Sequence, residues 1–376
     1  MNPTQYLKKK KPLDTESLLA ILLLALIVIV LIVSIVLAVS VLVNRDDPQD
    51  DGSNPNNPTS RAIFSNGVVP IMPTADENTA TVDHLYSDYG IIIDATNGKI
   101  LASASSDTPF SPASMAKVMT LIVACEKLTE ADLAKQIDYT EYYKNYDYNG
   151  LQVAFKYAIP LNTATLPGGT ASPCRVVIKD ILYGIGVLSA GDCSLMIAEY
   201  TYGSLDAFVA AMNQKALDLG LTQTRFADAA GDDLPGNVTT AKEMAVIMAY
   251  AMQCPLICEI LAEDAHSYCP KYTDVNGNEQ DYDQFTFYST LFDLNSKKAQ
   301  TRMEKYREMY GKRFKLETAE NFIGKTGYLT PPDRSYLVCG ASGKTTGNNY
   351  VVVVGDTNKF AYTMKDVKDL FDAYAK

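Results

Sequence analysis

The chain has 376 residues, a net charge of −11 at neutral pH and 47% hydrophobic residues, ample for a sizeable core. Such acidity argues against nucleic acid as a partner. Two histidines, His84 and His266, exclude a histidine-rich metal site and leave little material for a Ser-His-Asp triad, and both read as ordinary surface or strand residues. Seven cysteines, an odd count without a C-x-x-C pair, exclude a disulfide scaffold.

Residues 1–16 are polar and carry Lys8, Lys9, Lys10 and Lys11; residues 17–43 then run apolar without a charge. About 20 such residues span a bilayer, whereas a signal peptide's apolar stretch is only about 7–15 long. The lysines on one side and Asp46, Asp47, Asp50 and Asp51 on the other predict a transmembrane helix with its N-terminus in the cytoplasm and everything beyond it outside. Residues 44–61 are rich in Asp, Asn and Pro, the composition of a flexible tether, and a globular domain is expected over 62–376.

Gly90–Asp94 and Lys99–Ser103 predict a hairpin about the Ala95–Gly98 turn. A buried helix follows from Ser111, because Val118–Cys125 is apolar nearly all round. Residues 136–178 are tyrosine-rich and broken by Pro167-Gly168-Gly169, and read as an irregular insertion. Helical patterns cover Lys179–Tyr183, Ser194–Tyr202, Leu205–Leu219 and Thr240–Met252; Pro255, between Cys254 and Cys258, counts against a helix there. Strand patterns cover Gln284–Leu291, Phe322–Tyr328, Ser335–Ala341 and Tyr350–Gly355, before a last helix at Lys365–Ala375. The order implies an α+β fold, an antiparallel sheet flanked by helices with an all-helical subdomain inserted, preceded by the transmembrane helix.

Three short motifs carry candidate chemistry. Ser114 and Lys117 stand three apart, so on a helix they share a face. A lysine in apolar surroundings has its charged form disfavoured, and a serine beside a neutral amine is an activated nucleophile. Taken alone, the pair is equally a helix start with a capping serine and a snorkelling lysine. Ser189-Ala190-Gly191-Asp192 lies between two helical stretches, where its plain reading is Ser189 as N-cap and Asp192 completing a capping box. Gly324-Lys325-Thr326-Gly327 ends an apolar strand; at a sheet edge it offers backbone to an extended peptide, with Lys325 and Thr326 to hold a carboxylate. Gly343-Lys344-Thr345-Thr346-Gly347 has almost the same letters but reads as a polar hairpin.

In this order and spacing, S-x-x-K, a serine motif and K-T-G form the constellation of penicillin-binding proteins and serine β-lactamases. From about Tyr86 onward the chain resembles the serine D-alanyl-D-alanine carboxypeptidases of the low-molecular-mass penicillin-binding type. Pro112-Ala113-Ser114-Met115, Asp180-Ile181-Leu182-Tyr183-Gly184, Leu219-Gly220-Leu221 and Thr240-Ala241-Lys242-Glu243-Met244 extend the likeness. The resemblance implies a β-lactamase/penicillin-binding-protein-like fold and an acyl-enzyme on Ser114, with Lys117 as its base and Ser189 relaying a proton to the leaving amine. Lys325, Thr326 and Gly327 are the implied substrate-binding residues. The implied substrates are peptidoglycan stem peptides ending in D-Ala-D-Ala, with β-lactams as inhibitors and no cofactor or metal.

Departures from the family pattern shape the alternatives. The middle motif's Asn is replaced by Gly191, removing an amide that orients both the lysine and the substrate; a catalytically weak homologue that binds penicillin or muropeptide is the runner-up. Asp192 is not a substitute, since one helical step turns it about 100° away. Pro331-Pro332-Asp333-Arg334-Ser335 stands where a shorter turn is usual, and Tyr362-Thr363-Met364-Lys365 where the family commonly has an arginine. No second domain is expected after the catalytic one, and the N-terminal span takes the place of a C-terminal anchor. A class A β-lactamase fits less well, because no E-x-x-L-N loop lies between Asp192 and Met244.

Overall fold

In the central strand, Asn349–Thr357, Val351, Val352, Val353 and Val354 are all fully buried. An unbroken apolar strand of this kind needs cover on both faces. Val351 and Val353 join one core cluster, with the Ala241–Ala251 helix. Val352 and Val354 join the other, with Val367, Leu370 and Phe371 of the last helix. A computed structural model describes residues 62–64, 70–159, 174–291 and 316–376. All of these belong to the unit Asn57–Lys376; the expected cytoplasmic tail, transmembrane helix and tether, at 1–61, lie outside the described residues. Among the described residues no single helix is long and apolar enough to cross a membrane.

The sheet has six strands in the order Ala80–Thr81, Lys99–Ala104, Tyr89–Asp94, Asn349–Thr357, Arg334–Gly343 and Ala319–Leu329. Its pairings are antiparallel except for the two-residue strand Ala80–Thr81, which runs parallel to its neighbour. The hairpin about Ala95–Gly98 and the polar turn after Gly343 lie where the sequence predicts them. Ala319–Leu329 is the edge strand, with Lys325 opposite Val338 and Gly327 opposite Tyr336. The K-T-G backbone is therefore at a sheet edge, as its composition suggested.

Helices at Lys117–Lys127, Ile178–Tyr183, Gly191–Tyr202, Leu205–Asp218, Ala241–Ala251 and Pro255–Ala262 cover the face opposite the last helix. Four details differ from the sequence reading. Pro255 opens a helix instead of preventing one: at the first helical position its missing N–H costs nothing. The last helix begins at Phe360, not Lys365, because Ala361 and Met364 reach the buried face of the sheet. The stretch from Gln284 narrows to Phe285–Tyr288, which pairs with Ala265–Tyr268 in a separate two-stranded ribbon. The tyrosine-rich insertion is less irregular than its composition implies. Gln136–Asp138 and Arg175–Val177 join Lys271–Thr273 and Glu279–Asp281 in a small four-stranded sheet. Tyr139, Phe155, Tyr268 and Phe287 stack or meet edge to face beneath it. His266 lies in a strand, on the ring of Tyr183 and 2.7 Å from Asp180, while His84 is exposed.

Candidate active site

Ser114 sits in a single 3₁₀ turn, Ala113–Ala116, which feeds the Lys117–Lys127 helix. Two glycines let this turn lie deep. A Cβ on Gly231, whose φ is +73°, would stand 1.9 Å from the Ala113 carbonyl oxygen; one on Gly327 would stand 3.1 Å from Ala113 Cβ. Backbone therefore packs directly on backbone, and Ala113 itself takes a positive φ of 49°. Strain of this kind persists only where the surroundings over-determine it, as they do around active sites.

Lys117 is fully buried. Its Nζ donates to Ser114 Oγ at 3.1 Å and to the Ala230 carbonyl oxygen at 2.5 Å. Burial pulls its pKa down to about 8, against the opposing pull of Asp228 and Asp232, which favour the charged form. The amine thus sits within reach of both protonation states near neutral pH, as a general base requires.

The Ala230 carbonyl is held in place by a residue the sequence reading passed over. Asp228 accepts hydrogen bonds from the N–H groups of Ala230 (2.7 Å), Gly231 (2.5 Å) and Asp232 (2.9 Å) and from Asn237 Nδ2 (3.2 Å). Thr120, one turn along from Lys117, donates to the Ala229 carbonyl at 2.6 Å. The available signal was local: an Asp followed three residues later by Gly is an Asx-type turn.

Ser189 follows a short π-helical turn, Gly184–Leu188, and adopts the left-handed conformation with φ 67°. It is not an N-cap. Ala190 takes that position with no side-chain cap, and Ser189 Oγ instead accepts a hydrogen bond from Lys325 Nζ at 2.8 Å. No capping box forms either. The buried Asp192 carboxylate accepts from the N–H groups of Ala154 (2.8 Å), Phe155 (2.7 Å) and Lys156 (3.3 Å), clamping the insertion. Thr326 Oγ1 shares a hydrogen bond with Thr290 Oγ1 at 2.8 Å.

Ser114, Ser189 and Thr326 line one cleft of about 310 Å³, with Lys325 buried behind Ser189. The structure thus brings all six predicted residues together: Ser114–Lys117 and Ser189–Lys325 as hydrogen-bonded pairs, Thr326 on the wall and Gly327 against the Ser114 turn. The opposite wall comes from the insertion, which sequence reasoning did not place at the site. Asn149 and Gly150 form a turn with φ values of 50° and 80°, and Asn149 Nδ2 donates to Asp232 Oδ2 at 2.8 Å across the cleft rim. Among the described residues no three His, Cys, Asp or Glu side chains are grouped to hold a metal ion.

A serine bonded to a buried lysine, beside a second serine–lysine pair on a sheet edge, is a candidate nucleophile–base site on a penicillin-binding-protein-like fold. Solved structures agree on the fold: a Streptomyces K15 DD-transpeptidase mutant superposes with a TM-score of 0.57 at 20% identity, covering 77% of this chain and 98% of that one. A D-alanyl-D-alanine carboxypeptidase from Mycobacterium tuberculosis gives a TM-score of 0.54 at 22% identity, covering 81% and 94%. The family model of the peptidase S11 D-alanyl-D-alanine carboxypeptidases matches residues 76–279, and the chain belongs to that family. This span contains Ser114, Lys117 and Ser189 and stops short of Lys325. Among curated proteins, D-alanyl-D-alanine carboxypeptidase DacC of Escherichia coli is 31% identical over 177 residues, 46% of this chain and 41% of that protein. DacF of Bacillus subtilis is 29% identical over 157 residues, 42% of this chain and 36% of that protein. The chain therefore spans well under half the length of these curated relatives.

Proposed function

We propose that this chain is a membrane-anchored serine D-alanyl-D-alanine carboxypeptidase, acting outside the cell on peptidoglycan stem peptides. One observation carries the reading: a buried lysine, its pKa lowered to about 8, within 3.1 Å of a serine in an open cleft. At pH 7 about a tenth of such a lysine is neutral. That fraction takes the proton as Ser114 Oγ attacks the carbonyl between the two terminal D-alanines. The oxyanion forms against the Ser114 N–H and a backbone N–H of the edge strand beyond Gly327. Ser189, hydrogen-bonded to Lys325, relays that proton from Lys117 to the departing D-alanine amine as the C–N bond breaks, which leaves Lys117 neutral again. Lys325 and Thr326 hold the terminal carboxylate. Water then attacks the acyl-enzyme carbonyl, Lys117 takes its proton, and that proton returns to Ser114 Oγ as the ester bond breaks and the shortened peptide leaves.

A β-lactam presents the same carbonyl and carboxylate and acylates the same serine. The test is labelling of the full-length chain with a fluorescent penicillin, followed by peptide mapping. The label is expected on Ser114 and is lost in Ser114→Ala. Label elsewhere, or none at all, contradicts the proposal.

A further inference from the structure

The position that departs from the family's middle motif is structurally coupled to the insertion. Gly191 is the first residue of its helix, so its N–H has no partner within the helix. That N–H donates to the backbone carbonyl of Gln152 at 2.7 Å. A Cβ at 191 would stand 3.1 Å from Leu151 Cδ1 and 3.3 Å from Leu151 Cβ, closer than ordinary van der Waals contact. Glycine here leaves room for Leu151 against the helix start; a side chain at 191 would require Leu151 to shift by a few tenths of an ångström.

Gln152 lines the cleft alongside Ser114, Ser189 and Thr326, and it is exposed there. Among the described residues nothing hydrogen-bonds its carboxamide. Its backbone is held at its own carbonyl by the Gly191 N–H and, from two residues further on, by the Asp192 clamp on Ala154, Phe155 and Lys156. Where the family pattern has an Asn at 191, this chain has glycine, and on the adjoining segment a cleft-lining Gln carries the same donor and acceptor groups on one more methylene.

We infer that Gln152 is a substrate-binding residue, its carboxamide taking the place of the missing amide at 191 and hydrogen-bonding the backbone of the bound peptide. The inference rests on the carboxypeptidase reading above. It also turns the departure at Gly191 from a loss into an exchange of one carboxamide for another on the adjoining chain.

The experiment measures kcat and KM for D-alanine release from a diacylated L-Lys-D-Ala-D-Ala peptide, and the rate of acylation by a fluorescent penicillin, on the full-length chain. Wild type, Gln152→Ala, Gln152→Asn and Gly191→Asn are compared, with thermal melting of each as a check on folding. Losing one neutral hydrogen bond to substrate lowers kcat/KM about three- to tenfold, so Gln152→Ala is expected to fall by that much with its melting unchanged. Gln152→Asn, which keeps the amide, should recover most of the loss, and Gly191→Asn should bring no gain. If wild type reacts and Gln152→Ala matches it, or Gly191→Asn raises kcat/KM tenfold, the inference falls and the carboxypeptidase reading stands. If wild type neither takes the label nor releases D-alanine, the reading itself falls and the inference with it.

Discussion

At the scale of single residues, the chemistry turns on Lys117. Its amine is fully buried, bonded to Ser114 Oγ and the Ala230 carbonyl, with two aspartates near enough to oppose the effect of burial. A lysine whose folded pKa is depressed gains its neutral form as pH rises through that value. Penicillin acylation of Ser114 should therefore climb about tenfold per unit at low pH and level off above about 8. A stopped-flow pH profile checks this, and a flat rate from about pH 6 to about pH 9 would contradict a lysine base. The pairing of Ser114 with Lys117 was legible in the sequence because a spacing of three puts two side chains together wherever the chain coils. Asp228 was not, since its role depends on where a distant loop comes to rest against the Lys117 helix.

Elements of the fold differ in the same way. The Val351–Val354 run was legible as a strand, though not that both its faces are covered, and the edge strand was foreseeable over Phe322–Tyr328 from an apolar stretch ending in polar residues. Pro255 misled because proline's effect depends on its place in a helix, and its place is set by where the previous helix stops. The insertion was the least legible element. Its strands are three residues long; Gln136–Asp138 pairs with Arg175–Val177 at the far end of the insertion, and Arg175 with the distant Lys271, so no local period marks them. What holds it at the site is Asp192, a buried carboxylate accepting three backbone N–H groups of the insertion besides that of Cys193. Asp192→Ala leaves those donors unpaired, at a cost of about 3 kcal/mol. The melting temperature should fall by several degrees, and limited proteolysis should now cut within residues 141–159. A variant with wild-type melting and an unchanged cleavage pattern would show that the clamp is not what holds the insertion.

For the whole molecule, the order of strands and helices was readable because each motif carried its own flanking pattern, and the fold brings the three motifs to one cleft. Membrane attachment rests on the sequence alone, on 27 uncharged residues flanked by lysines and then by aspartates. In intact cells, protease added outside should cut the 44–61 tether and release the folded domain, while an N-terminal tag stays protected. Digestion of the tag, or recovery of untreated protein in the soluble fraction, would reverse or remove the anchor.

The claim that this cleft is a working carboxypeptidase meets its most direct test in the release of D-alanine. The full-length chain, in mild detergent, is incubated with a peptide ending in D-Ala-D-Ala, and free D-alanine is followed beside a Ser114→Ala control. Steady release by the wild type and none above background by the control is the predicted result. Penicillin labelling of Ser114 without any release above that control would leave a protein that binds and does not turn over.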